Sequence, residues 1–193
     1  MRLPILAAVG MTFALSGCLQ DAATLSSFSD VSASGFIDSG LDNPGGVVIR
    51  DADGSGYAFA AGRVTGSGLK ATSGVINGST VAQPPSAGTA RFDGTYQLYR
   101  ISIIDFDLSS ITGYTTRQGG NIALNVNFGA GTISGSDGSL SVDGRFRGTS
   151  MSGDVTYEGV DGDLTGLVGS DRAIGAFHGN DADLIYAGGF IVD

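Results

Sequence analysis

From about Phe36 onward, apolar residues recur at every second position rather than every third or fourth. Ile122, Leu124, Val126 and Phe128 alternate with Asn121, Asn125 and Asn127. Leu140, Val142 and Phe146 alternate with Ser141, Asp143, Arg145 and Arg147, and Met151, Gly153, Val155 and Tyr157 with Ser152, Asp154, Thr156 and Glu158. A period of two puts one face of each segment on a core and the other in water, which predicts half-buried antiparallel strands. Tyr57, Phe59 and Ala61 repeat the pattern more weakly. Between Thr95 and Leu108 the parity shifts: Tyr96 and Leu98, then Tyr99, Ile101 and Ile103, then Ile104, Phe106 and Leu108. That shift predicts a bulge or corner. No stretch carries a convincing helical period.

The punctuation between these segments is glycine. Asp53-Gly54, Asn77-Gly78, Asp93-Gly94, Asp137-Gly138 and Asp161-Gly162 read as turn dipeptides, since glycine accepts positive φ and Asp or Asn tolerates it. Gly144, Gly153 and Gly166 fall on the inward parity instead, where they relieve crowding in a curling sheet. Candidate strands lie near 47–50, 57–64, 69–76, 89–99, 101–108, 121–128, 139–147, 151–158, 164–168, 173–178 and 184–191. Many short strands with closely spaced turns mean a sandwich or a barrel. Short hairpins favour sequential pairing, and closure removes exposed edges. The prediction is an all-β, antiparallel, approximately eight-stranded up-and-down barrel. Phe106, Phe128, Phe146 and Phe177 pointing inward would fill it; glycines lining the middle would leave it hollow.

Composition narrows the function. Of 193 residues, 33 are glycine, and 10 Lys plus Arg face 19 Asp plus Glu for a net charge of -9. The acidic balance excludes a nucleic-acid backbone binder. One Cys excludes an intramolecular disulfide and a cysteine-cluster metal site. Ten Phe and 41% apolar residues favour a folded chain over a disordered one.

The start of the chain is separate from this pattern. Met1-Arg2 precedes an apolar run from Leu3 to Leu15 and then Ser16-Gly17-Cys18, the layout of a secretory signal too short to span a bilayer comfortably. Leu15-Ser16-Gly17-Cys18 resembles the lipobox of bacterial lipoproteins. The resemblance implies a signal peptide at 1–17 and acylation of Cys18 (palmitate among the chains), with the protein held on a membrane by that lipid. Leu19, where retained inner-membrane lipoproteins have Asp, leans toward the outer membrane, with the cell surface as one face it can occupy. Residues 18–35 read as a flexible Ser/Ala-rich tether and 36–193 as the barrel domain. Period alone does not say whether a barrel of this length lies within a membrane, because such barrels also alternate. The lipid at Cys18 and an aromatic content of 8% favour a soluble barrel anchored from outside.

Toward the C-terminus, Gly166-Leu167-Val168-Gly169, Ala173 through Asp183 with its Phe177-His178-Gly179, and Gly188-Gly189-Phe190 follow one another. This run resembles the closing signature of the β-barrel domain of transferrin-binding protein B. Val126-Asn127-Phe128-Gly129 with Thr132-Ile133-Ser134-Gly135, and Leu140 to Gly148, extend the likeness over 88–193. His178 stands where that family has Tyr, Asn180 where it has Pro, and Leu184-Ile185-Tyr186 where it has a Glu-containing segment. The resemblance implies a lipidated surface barrel that binds a partner. Similar single barrels include haem-, haemoglobin- and complement-regulator-binding lipoproteins, so the fold does not choose the partner. On the residues alone, Phe177 would seal a barrel end and Gly188-Gly189 would let the last strand approach its neighbour closely.

Little reactive chemistry is visible. Asp51-Ala52-Asp53-Gly54-Ser55-Gly56 resembles the start of a calcium loop, but Gly62 stands where the bidentate Glu belongs. A hairpin turn explains it better. Asp161-Gly162-Asp163 and Asp181-Ala182-Asp183 read as a solvated rim. His178, the sole imidazole, has no Gly-x-Ser-x-Gly nucleophile to serve; it is expected at a strand end, bonded to a neighbouring carbonyl, although one axial His can hold haem iron. No phosphate loop is present. The chain is therefore expected to be no enzyme and to need no cofactor or metal. The expected function is a monomeric, lipid-anchored outer-membrane barrel that binds an unknown protein or small ligand through its loops. A structural envelope lipoprotein without a ligand, or a hollow carrier of a small ligand such as haem, are the alternatives. The candidate contact loops are Asn77–Gly88, Ser109–Gly120 and Asp181–Tyr186, with Tyr114, Arg117, Asp181 and Asp183 as candidate contact residues.

Overall fold

The computed structural model describes residues 25–42, 45–65, 68–107 and 110–193. The signal segment 1–17 and Cys18 lie outside them. Among the described residues twelve strands follow in order: β1 (Leu25–Phe28), β2 (Gly46–Arg50), β3 (Gly56–Val64), β4 (Gly68–Val75), β5 (Thr89–Asp107), β6 (Ser110–Asn127), β7 (Thr132–Ser136), β8 (Leu140–Arg147), β9 (Ser150–Tyr157), β10 (Val160–Val168), β11 (Ala173–Asn180) and β12 (Leu184–Val192).

Strands β5 to β12 close a barrel in which each pairs antiparallel with its sequence neighbour. The seam joins β12 to β5, from Leu184 opposite Ser102 to Val192 opposite Gly94. This is the up-and-down, eight-stranded, all-β barrel that the period of two predicts. Its interior is the inward parity of every strand: Phe92, Tyr96, Leu98, Ile122, Leu124, Val142, Val155, Leu164, Phe177, Tyr186 and Phe190 form one buried cluster. Gly144, Gly153 and Gly166 do face inward. A Cβ on Gly144 would lie 2.9 Å from the Ile133 side chain, so the glycine makes room for its neighbour. The barrel is filled with side chains, which disfavours the hollow carrier.

The sequence assigns residues 36–193 to one barrel after a tether at 18–35. In the structure the barrel strands begin at Thr89, and the chain before them builds a second sheet of order β1-β4-β3-β2, with β1 parallel to β4. Leu25–Phe28, inside the expected tether, is already a strand. Period identifies a strand without saying which sheet it joins, and this difference follows from that. The sheet lies on the outer wall of the barrel. Tyr57 and Phe59 pack on Ile174 and Ala176, and Leu69 and Ala71 pack on Ile101, Ile185 and Ala187. The opposite face of the sheet is covered by Val31, Ile37 and Leu41.

This covering also explains the irregular stretch from Thr95 to Leu108. Leu98 faces the barrel interior and Ile101 faces the sheet, and both are fully buried. Apolar residues on both parities reflect burial on two sides there. The register shift comes later, between Ile103 and Asp105. For the same reason β11 and β12 are buried nearly end to end.

Away from the sheet, the outer wall is polar. Asp143, Asp154 and Asp163 sit directly opposite one another on β8, β9 and β10, all exposed. A barrel that spans a bilayer needs an apolar outer band. Here the apolar parity is inside, which settles what the period left open. Like charges directly opposite in a sheet are destabilising. Replacing Asp154 with Asn is therefore expected to raise stability by about 0.5 kcal/mol in urea denaturation. The gain should shrink in molar salt, which screens the same repulsion; a variant that gains nothing at low salt would refute the assignment.

Candidate functional site

Strand direction sorts the turns of the barrel into two ends. The β5–β6 hairpin and the turns 137–139, 158–159 and 181–183 share one end; 128–131, 148–149 and 169–172 share the other. At the first end β5 and β6 outrun the wall. They have 19 and 18 residues, against 8 in β8 and β9. β6 meets β7 only over Asn125–Asn127. The excess length stands out as a two-stranded ribbon.

The sequence reads as a loop over Ser109–Gly120. The structure makes 110–120 part of β6, paired residue by residue with β5, while Ser109 lies outside the described residues. The β-branched and aromatic residues Thr112, Tyr114, Thr115 and Thr116 favour this extended form, and the glycines at 113, 119 and 120 imitate a loop signal. Tyr114 is 70% exposed, on the same parity as Ile122 and Leu124. Arg117, on the other parity, donates through Nε and Nη2 to the Gln97 side-chain oxygen. Gly113 lets the ribbon lie against the wall sheet: a Cβ there would stand 2.7 Å from Ile101 and 2.9 Å from Leu69.

Ser102 pairs with Tyr114 on one side and Leu184 on the other. Tyr114 and the 181–183 turn are thus two strand spacings apart, about 10 Å. Tyr114, Arg117, Asp181 and Asp183 all belong to this end. Asp181 also holds the turn itself, accepting from the N–H groups of Asp183 and Leu184 at 2.8 Å each. The third candidate, Asn77–Gly88, reaches the other end: Thr80 and Val81 sit by the 169–172 turn.

Between ribbon and rim lies a layer of polar contacts. The Tyr96 hydroxyl donates to the Asp137 carboxylate, and Gly120 makes the space, since its Cβ would fall 2.8 Å from the Tyr96 ring. Burial pushes the Tyr96 phenol well up, with Asp137 adding to it. Burial also acts to raise Asp137, but the N–H groups of Leu140 and Ser139 and the Tyr96 hydroxyl together hold it below the usual range. Tyr157 is pushed up to about 12 by burial and by Glu158. Arg100 pairs with Glu158 at 3.0 Å. Both phenols therefore stay neutral and Asp137 stays charged near neutral pH. Tyr96, Gln97, Arg100 and Glu158 escape sequence reasoning because only register reveals that they meet.

The remaining candidates are structural. His178 is 8% exposed, with Ser26 Oγ 3.0 Å from its Nδ1 and the Phe28 ring edge-on at 4.3 Å. Its partner is a hydroxyl on β1, where the sequence suggests a carbonyl. Burial lowers its pKa, opposed by Asp163 across the strand pair. It ties β1 to the barrel, and Phe28 covers it from a ligand. Asp51 and Asp53, the calcium-like pair, both bind Arg172, whose guanidinium also donates to the Thr80 carbonyl. Chiefly through that Arg172 hydrogen bond, Asp53 falls from 3.8 to about 2. A lowered folded-state value means that this contribution is complete above about pH 4 and is lost as pH falls toward 2. In an NMR titration, Arg172→Ala should raise the Asp53 carboxyl toward its ordinary range, with the Ser55 N–H still holding it partly down; an unmoved titration would refute the clamp. Among the described residues no group of three His, Cys, Asp or Glu could hold a metal ion.

Fold and site together define a class: a filled eight-stranded barrel with a four-stranded sheet on its wall and a projecting ribbon at one end. No family model and no curated protein matches the chain. It is similar to a solved structure described as a surface lipoprotein, at 15% identity and a TM-score of 0.48, over 79% of this chain and 82% of that one. It is also similar to transferrin-binding protein B from Haemophilus parasuis Hp5, at 12% identity and 0.49, over 83% of this chain and 39% of that one. A third is HpuA from Kingella denitrificans, solved in complex with human haemoglobin, at 14% and 0.41, over 72% and 55%. Transferrin-binding protein B, which residues 88–193 resemble, is thus among the structures to which this fold is similar. At these identities the likenesses assign no partner.

Proposed function

We propose that the protein is a lipid-anchored binding protein of the outer membrane that holds a macromolecular partner at the ribbon end of its barrel. The observation that carries this is the pairing of a filled interior with an exposed ribbon. Phe177, Tyr186 and Phe190 occupy the space that a small ligand would need. Binding then falls to the surface, and Tyr114 with Arg117 supplies residue types enriched in binding hot spots on a preformed pair of strands. The anchor rests on Cys18 in its lipobox-like run, and its attachment is read out by radiolabelled palmitate, lost in Cys18→Ala.

The test is protease shaving of intact cells, followed by capture of surface-bound proteins on the purified chain. Accessibility of the barrel, and a captured protein whose affinity falls about tenfold or more in Tyr114→Ala with Arg117→Ala, are the expected results. A barrel protected in intact cells would remove the surface reading. Unchanged affinity in the double variant would remove the ribbon.

A further inference from the structure

Among the described residues, one edge of the ribbon pairs with no strand. β5 is paired on both sides, with β12 up to Ser102 and with β6. β6 is paired with β5, but the β7–β8 turn stops beside Gly120, where a Cβ would stand 3.0 Å from Asp137. From Gly113 to Gly119, among the described residues, no strand pairs with the other side of β6. Every second residue of such an edge points its N–H and C=O outward, along about 23 Å for seven residues.

Sheet edges are usually guarded by Pro, Lys, acidic residues or a covering segment. One edge of the wall sheet, β2, has the 33–35 segment beside it: Arg50 donates to the Ala33 carbonyl, and Gly35 packs on Val48. Gly113–Gly119 has none of these. Its side chains are Tyr, Thr, Thr, Arg and Gln, and Arg117 is the sole charge between Asp107 and Asp137. That guanidinium is held by a neutral oxygen of Gln97, so its charge is uncompensated by this contact.

We infer that Gly113–Gly119 takes up an extended segment of the partner as an added strand, with a carboxylate of that segment on Arg117. This rests on the reading above and gives it a mode: backbone hydrogen bonds supply affinity, and alternate side chains supply specificity. A second copy is the poorer occupant. Two antiparallel β6 edges would bring Arg117 toward its counterpart, between molecules that each carry a charge of -9.

The probe is a labelled peptide, Thr-Val-Thr-Glu-Val-Thr-Val, and its Lys-for-Glu counterpart, added to the full chain at low salt. The Glu peptide should slow hydrogen exchange in Gly113–Gly119 and bind about three- to tenfold tighter than the Lys peptide. Arg117→Glu should reverse that preference, which a purely structural role for Arg117 would not do. Thr115→Pro, which removes an outward-facing N–H while the β5–β6 bonds run through the even-numbered residues, should abolish protection while leaving the circular dichroism of the barrel intact. Binding without protection of this stretch, or a preference that fails to reverse, overturns the inference. So does protection that rises with protein concentration alone alongside a dimer in sedimentation, which assigns the edge to a second copy. If these fail while Tyr114→Ala with Arg117→Ala still weakens the captured protein, strand addition is wrong and the ribbon-end reading stands.

Discussion

Gly189→Val should leave little folded protein. A Cβ at position 189 would run into the Tyr57 ring on one side and the Gly175 carbonyl oxygen on the other. The ring belongs to the sheet and the carbonyl to β11, so the added atoms pry at the seating of the sheet and at the β11–β12 ladder together. Overpacking that side chains can absorb costs about 1–3 kcal/mol. Here one obstacle is backbone, and the loss should exceed about 4 kcal/mol. Urea denaturation followed by circular dichroism reads it, or the soluble yield does. Gly45→Ala, where nothing stands within 4 Å of the new Cβ, is the control and should stay within about 0.5 kcal/mol. If Gly189→Val folds as well as that control, the close packing of sheet on barrel is wrong.

Phe177→Ala should cost about 3–5 kcal/mol, the usual penalty for emptying a buried aromatic site. The ring is fully buried in the barrel and lies 6.2 Å from Tyr186. Tyr186 cannot swing into the void freely, because its hydroxyl donates to the Val160 carbonyl at 2.9 Å. The backbone of Phe177 also receives the Ser73 hydroxyl at 2.8 Å, so the residue braces the sheet from outside as it fills the barrel from inside. Phe177→Leu keeps most of the volume and should lose less than half as much. Equal losses for the two variants would mean that the interior is not close-packed there.

What the sequence tells about this fold follows from how local each signal is. Alternation in 121–128, 139–147 and 151–158 marks strands because one face of β6, β8 and β9 meets water. It says less for β11 and β12, whose outer face an unannounced sheet covers, and for β3, packed between the barrel wall and Val31, Ile37 and Leu41. Phe177 is expected either to fill the barrel or to seal its end; it sits within the interior cluster. Gly188 and Gly189 do mark close approaches, to β5 and to Tyr57. At the candidate site, Tyr114, Arg117, Asp181 and Asp183 are nameable from residue type, and the structure gathers them at one end. Their shared end depends on strand direction, and the free edge depends on how short β7 is. Neither property resides in any single residue.

The early start of β1 also shortens the leash. With Leu25 in register beside Lys70, and Ser26 bound to His178 and Asn180 near the ribbon end, only residues 19–24 separate Cys18 from the folded body. The seven steps along the chain from Cys18 to Leu25 reach about 25 Å at full stretch. A lipid at Cys18 would therefore moor the molecule close to the bilayer by that end. Whatever the ribbon holds would then sit within reach of that surface.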